Sequence, residues 1–131
     1  MMTFLRAFVV TIGLIVASDA FAQSFSDVDV DGAKKLIAAQ DVVVLDVRTP
    51  EEFREGHIKN AVLANVNDPS FESKISAIAK GKKVLVYCAA GRRSVTASKI
   101  MVERGWKKVT NMKGGFNAWS AAGYPSVKGE K

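Results

Sequence analysis

The sequence predicts a three-layer α/β domain, with a largely parallel central sheet and helices on both of its faces. Three observations carry this. Residues 42–47 (VVVLDV) and 83–87 (KVLVY) are continuous apolar runs rich in β-branched side chains, the pattern of strands buried on both faces. Segments of helical periodicity alternate with these runs over connections of a few residues, as in a parallel sheet. The chain of 131 residues suits one hydrophobic core, because single domains typically hold about 100–150 residues.

Taken in order, Asp29 or Asp31 can cap a helix running to about Ala39, with Ala33, Leu36 and Ile37 on one face. The strand at 42–47 follows. Thr49-Pro50-Glu51-Glu52 reads as a capping box, with Pro at the first helical position and Glu at the third. Gly56 stops that helix early. Residues 61–66 read as a second strand, and 71–79 as an amphipathic helix with Phe71, Ile75, Ile78 and Ala79 inward. The run 83–87 ends directly at Cys88. After a glycine-containing loop, residues 94–104 read as a helix rich in Val95, Ala97, Ile100, Met101 and Val102. Residues 108–112 form a last short strand, Gly114-Gly115 a turn, and 116–122 a final helix ended by Gly123 and Pro125. There is no repeat, low-complexity stretch or internal linker, so residues 23–131 are expected to form a single domain.

The first 22 residues have the three parts of a secretory signal peptide. Arg6 closes a short basic region. Residues 7–17 (AFVVTIGLIVA) form an apolar run too short to span a bilayer and stop there. Ala20-Phe21-Ala22 supplies small residues at the positions a signal peptidase reads. Cleavage is expected after Ala22, giving an exported, periplasmic chain with no stable membrane insertion; an uncleaved anchor is the competing reading. The formal charge is +6. The basic residues are scattered rather than banked on one helix, which argues against nucleic acid as a partner and is compatible with small anions.

One cysteine cannot form an internal disulfide, and no Cys or His cluster is spaced to hold zinc. Free cysteine is among the most commonly buried residue types, so a packing role is the default for Cys88. Its neighbours argue otherwise. Ligands of open α/β sheets bind beyond the carboxyl ends of the strands, where this loop is expected. Ala89, Ala90 and Gly91 are small enough for the backbone to curl and turn its N–H groups inward as an anion-binding nest. A helix starting near Ser94 adds its positive end, and Arg92 and Arg93 add full charges. Each of these favours a thiolate, and such surroundings commonly lower a cysteine pKa from about 8.5 to about 3.5–7.5. Loop size then separates two chemistries. Cysteine phosphatases place Arg six positions after the nucleophile, where this chain has Ser94; here the loop closes one residue earlier, at Arg93. The smaller ring suits a single added sulfur atom, a persulfide.

Three segments in order resemble the rhodanese family of sulfurtransferases, over nearly all of the chain that follows the signal peptide. Leu45-Asp46-Val47-Arg48-Thr49-Pro50-Glu51-Glu52-Phe53 with Gly56-His57-Ile58 is similar to its N-terminal signature. Val86-Tyr87-Cys88-Ala89-Ala90-Gly91-Arg92-Arg93-Ser94 resembles its active loop, and Gly114-Gly115-Phe116 with Trp119 its C-terminal signature. The length and leader resemble the small exported bacterial members. The resemblance implies a five-stranded rhodanese-like sheet, thiosulfate sulfurtransferase activity and no metal or organic cofactor. It implies Cys88 as sulfur acceptor, with Ala89, Ala90, Gly91, Arg92 and Arg93 binding an anionic sulfur donor and a thiophile such as cyanide or a thiol removing the sulfur. Arg93 could instead turn to a carboxylate and brace the loop. Two departures stand out. Asn60 occupies a position where the family usually carries Gly, and Ala89-Ala90 offer no side-chain donors.

The remaining features are expected to support the site. Asp46 and Arg48 end a central strand and read as an ion pair or cap bracing the loop, with Ser94 at its closing turn. His57, the single histidine, reads as fixing a turn by hydrogen bonding. Trp106, Phe116 and Trp119 read as packing residues. Two functions compete with turnover: a persulfide carrier serving a protein partner, and a small phosphatase or arsenate reductase, which the six-residue loop disfavours.

Overall fold

The computed structural model describes residues 24–130 together with Gly13; apart from Gly13, the expected signal peptide lies outside the described residues. Five strands form one sheet in the order β1-β5-β4-β2-β3: β1 (Ser26–Val28), β2 (Val42–Asp46), β3 (Val62–Leu63), β4 (Lys83–Tyr87) and β5 (Lys108–Met112). Every pairing is parallel. Strand β4 is central, with Val84 opposite Val43 on one side and Val109 on the other. All five strands therefore end at the same edge, and Cys88 follows directly on the central one.

Side-chain alternation in β4 divides the apolar residues between two cores. Val84 and Val86 pack with Phe71, Ile75, Ala97 and Met101 from α3 (Phe71–Ile75) and α4 (Arg92–Glu103). Leu85 and Tyr87 face Ala33 and Trp119, from α1 (Val30–Ala38) and α5 (Gly115–Ala121), and Ile58. Val84, Leu85 and Val86 are fully buried, each contributing about 1.5–3 kcal/mol. By the same alternation Cys88 falls on the α4 side. Both cores are built from residues 25–124, so the domain carries its own apolar interior.

The capping box forms as expected at the start of α2 (Pro50–Glu55): the Thr49 hydroxyl accepts from the Glu52 amide, and the Glu52 carboxylate accepts from the Thr49 amide. Four departures from the sequence reading exceed a single residue. Strand β1 was not anticipated, and β3 shrinks from 61–66 to Val62–Leu63. Helix α3 ends at Ile75 rather than 79 because turns take over, with Ser76 Oγ donating to the Ser73 carbonyl. Helix α4 starts at Arg92, not near Ser94, because Gly91 at φ 112° forms its left-handed N-cap.

Candidate active site

Cys88 Sγ sits inside the turn that its own loop makes. The Gly91 amide points at it from 3.0 Å, and Ser94 Oγ lies 3.4 Å away. Burial pushes the Cys88 thiol up, but the Ser94 hydroxyl and the amides of Ser94, Gly91 and Ala90 outweigh it, and the net shift is downward. Ser94 Oγ also lies 3.3 Å from the Gly91 carbonyl. Its proton can thus rest on that carbonyl beside a thiol and turn to the sulfur beside a thiolate. Ala90 and Arg92 are exposed, Ala89, Gly91 and Arg93 half-buried, and Ser94 buried.

The loop's conformation is held from α5. The Phe116 amide donates to the Cys88 carbonyl at 2.7 Å and the Asn117 amide to the Ala89 carbonyl at 3.0 Å. Two loop carbonyls are drawn to this helix start, away from the sulfur, and satisfy donors that a helix N-terminus leaves open. The approach is close enough to require glycine: at Gly115, φ 60°, a Cβ would stand 2.5 Å from the Cys88 carbonyl oxygen and 2.6 Å from Ala89.

Asp46 and Arg48 are both buried and form an ion pair through Nη2–Oδ2 at 2.7 Å and Nε–Oδ1 at 3.0 Å. Burial disfavours the Arg48 cation, yet the Asp46 carboxylate outweighs it and raises the guanidinium above its ordinary value. Arg48 also donates to the Gly56 carbonyl at 2.7 Å and lies 4.5 Å from the Phe116 ring centroid. It thereby ties the end of α2 to the residue whose amide holds Cys88.

The two loop arginines diverge. Arg93 Nη1 and Nη2 reach the Glu52 carboxylate at 2.7 and 2.9 Å, the bidentate geometry that suits guanidinium. Arg93 holds the Glu52 carboxyl down at about 2. Arg92 has no ion-pair partner among the described residues. Beside Ala89 opens a cleft of about 360 Å³ lined by Arg48, Glu52, Glu55, Phe116, Asn117 and Ser120, among others. Among the described residues no group of three or more His, Cys, Asp or Glu side chains could hold a metal ion.

Residues 29–122 match the family model for a rhodanese-like domain. The chain belongs to the rhodanese family. It is 34% identical over 122 residues to thiosulfate sulfurtransferase 18 of Arabidopsis thaliana, covering 84% of this chain and 89% of that protein. It is 37% identical over 90 residues to the thiosulfate sulfurtransferase GlpE of Coxiella burnetii, covering 68% and 81%. The crystal structure of a rhodanese-related protein from Thermoplasma volcanium superposes with a TM-score of 0.71 at 28% identity, covering 79% of this chain and 98% of that one.

Within this rhodanese fold, His57 hydrogen-bonds away from the loop: Nδ1 is 2.8 Å from the Phe53 carbonyl, the ring stacks on Phe53 at 3.6 Å, and its backbone pairs with Val127. Asn60 adopts φ 67°, which explains why glycine suits that position and why Asn, tolerant of left-handed backbone, can replace it. In the sequence Glu52 reads as a helix cap only, and nothing beside Cys88 points to the Phe116 and Asn117 amides. Glu52 and Arg93 stand 41 positions apart, and no local periodicity joins them. The Gly114-Gly115 pair was the one available signal for the α5 contact.

Proposed function

We propose that this protein is an exported thiosulfate sulfurtransferase that carries sulfane sulfur on Cys88. The observation that supports this best is the small turn around Sγ, in which the Gly91 amide and the Ser94 hydroxyl favour a thiolate. The Cys88 thiolate attacks the outer sulfur of thiosulfate; the new S–S bond forms as the sulfur–sulfur bond of the donor breaks, and sulfite leaves with that electron pair. The persulfide anion is then held by the amides of the loop Ala89, Ala90, Gly91, Arg92 and Arg93, of which those of Ala90 and Gly91 already act on Sγ, as donors act on developing charge in an oxyanion hole. A thiophile such as cyanide attacks the outer sulfur and returns the thiolate.

Arg92, exposed and unpaired among the described residues, attracts and orients the dianionic donor. Arg93 is committed to Glu52 and braces the loop. Asp46, Arg48 and Ser94 support it, Ser94 by donating to the thiolate. Cys88 is only 1% exposed, which suits a slender donor entering end-on and disfavours an aryl phosphate. No metal or cofactor takes part in these steps. Residues 1–22 serve as the signal peptide, cleaved after Ala22, and the single domain from Gln23 onward acts in the periplasm.

The test is mass spectrometry of the protein from Gln23 onward after exposure to thiosulfate. A gain of one sulfur atom, removed by cyanide and absent in Cys88→Ser, is the expected result. Loading without turnover would replace the enzyme by a carrier serving a protein partner. Cys88-dependent hydrolysis of an aryl phosphate without sulfur loading would overturn the proposal.

A further inference from the structure

The end of the sheet opposite Cys88 carries a concentration of lysines that the sulfur chemistry does not use. Strands β4 and β5 are parallel neighbours with Lys83 opposite Lys108, so the segments entering them lie side by side. These segments, Lys80-Gly81-Lys82-Lys83 and Lys107-Lys108, place five exposed lysines at one edge of the molecule. Asp41 pairs with Lys83 at 2.9 Å, and Glu72 takes Arg104 at 2.8 Å. Glu103 ends α4, next to Arg104. Lys80, Lys82, Lys107 and Lys108 have no ion-pair partner among the described residues. Read one strand at a time, this charge is scattered through the sequence, and only the parallel pairing gathers it.

The described chain enters at the same edge. Ser24 and Phe25 share a cavity of about 460 Å³ with Lys83, Lys107 and Lys108. The apolar run at residues 7–17 therefore precedes the lysine face by only a few residues of chain. Until the leader is cleaved, an apolar segment is thus attached within a few residues of this face and brings it near the lipid headgroups.

We infer that the face formed by Lys80, Lys82, Lys83, Lys107 and Lys108 docks peripherally on an anionic phospholipid surface. Clustered lysines near such a surface each add to binding, and the attraction fades within about 10 Å at 0.1 M salt. The five residues of β4 separate Lys83 from Cys88 by roughly 16 Å at about 3.3 Å per residue. Docking by this face thus leaves the Cys88 loop pointing away from the bilayer, open to donor and acceptor. The inference does not depend on the reaction at Cys88, and it applies whether residues 1–22 are retained or removed.

The experiment is vesicle flotation of the protein from Gln23 onward, comparing phosphatidylcholine alone with phosphatidylcholine containing about one-third phosphatidylglycerol. Binding to the anionic vesicles that salt reverses is expected. The combined Lys82→Glu, Lys107→Glu and Lys108→Glu change lowers the partition coefficient roughly twentyfold or more. The same charge change at Lys34, Lys113 and Lys128, outside this face, lowers it much less. A thermal melt checks folding, and Gln at the same three positions replaces Glu if the reversed chain melts early. No dependence on phosphatidylglycerol, or an equal loss in the two triple variants, overturns the inference. Displacement from vesicles by a duplex oligonucleotide at lower concentration than a soluble lipid headgroup overturns it in favour of nucleic acid.

Discussion

Ionisation of Cys88 is a contest between two effects of the same enclosure. Burial disfavours the thiolate, while the Ser94 hydroxyl and the amides of Ser94, Gly91 and Ala90 favour it and win. Ser94 is the one side chain among these donors, so it is the one that substitution can remove cleanly. Ser94→Ala deletes a charge-assisted hydrogen bond to the thiolate, for which about 1.5–3 kcal/mol is typical, and so raises the Cys88 pKa. Titration of the thiolate's ultraviolet absorbance is expected to show the midpoint moving up, with the pH at which sulfur loading becomes half-maximal moving up with it. An unchanged midpoint would mean that the backbone alone sets the charge. The sequence revealed the cysteine and the small-residue turn that encloses it, because both sit within six consecutive residues. It did not reveal what holds the turn: the Phe116 and Asn117 amides contact Cys88 and Ala89 from the far end of the chain.

At the scale of elements, α2 and α4 meet tip to tip through Glu52 and Arg93. Glu52 serves two purposes, closing the capping box with Thr49 and taking both Arg93 nitrogens. Glu52→Gln separates them, since Gln at the third helical position still completes a capping box but carries no charge. The folded-state carboxyl lies at about 2 against an ordinary 4.5. Its stabilisation is thus fully present above pH 4.5 and is lost as pH falls towards 2. Urea melts are expected to show E52Q about 1 kcal/mol less stable at neutral pH, as fits a partly exposed pair. The difference should shrink below pH 4.5; a constant difference down to pH 2 would exclude the ion pair as its source. Helix and strand boundaries were read well where burial is complete and poorly where it is not. The β-branched runs gave β2 and β4, whose inner residues are buried. Strand β1 is three residues, Ser-Asp-Val, at the sheet's edge, too short and too polar to show alternation. The early start of α4 depends on Gly91 acting as cap, which its spacing to Ser94 concealed.

For the whole molecule, the order β1-β5-β4-β2-β3 puts the strand that presents Cys88 where both cores and both neighbouring strands must separate before it is exposed. Val84, Leu85, Val86 and Tyr87 are all fully buried. Strand β3, by contrast, is a two-residue edge strand with Val62 43% exposed. Amides opened only by global unfolding are protected by the full stability of a domain, about 5–15 kcal/mol, whereas edge amides exchange through local fraying at far smaller cost. Native-state hydrogen exchange is therefore expected to find the β4 amides protected at least about a thousandfold more than those of Val62 and Leu63. Protection of β4 should also fall with urea along the slope of global unfolding. Cys88 is thus fixed by the central strand, and α2, joined to the sheet through Arg48 and to the loop through Glu52, is tied to the same rigid base. Equal protection of β3 and β4 would instead make the whole sheet one cooperative unit.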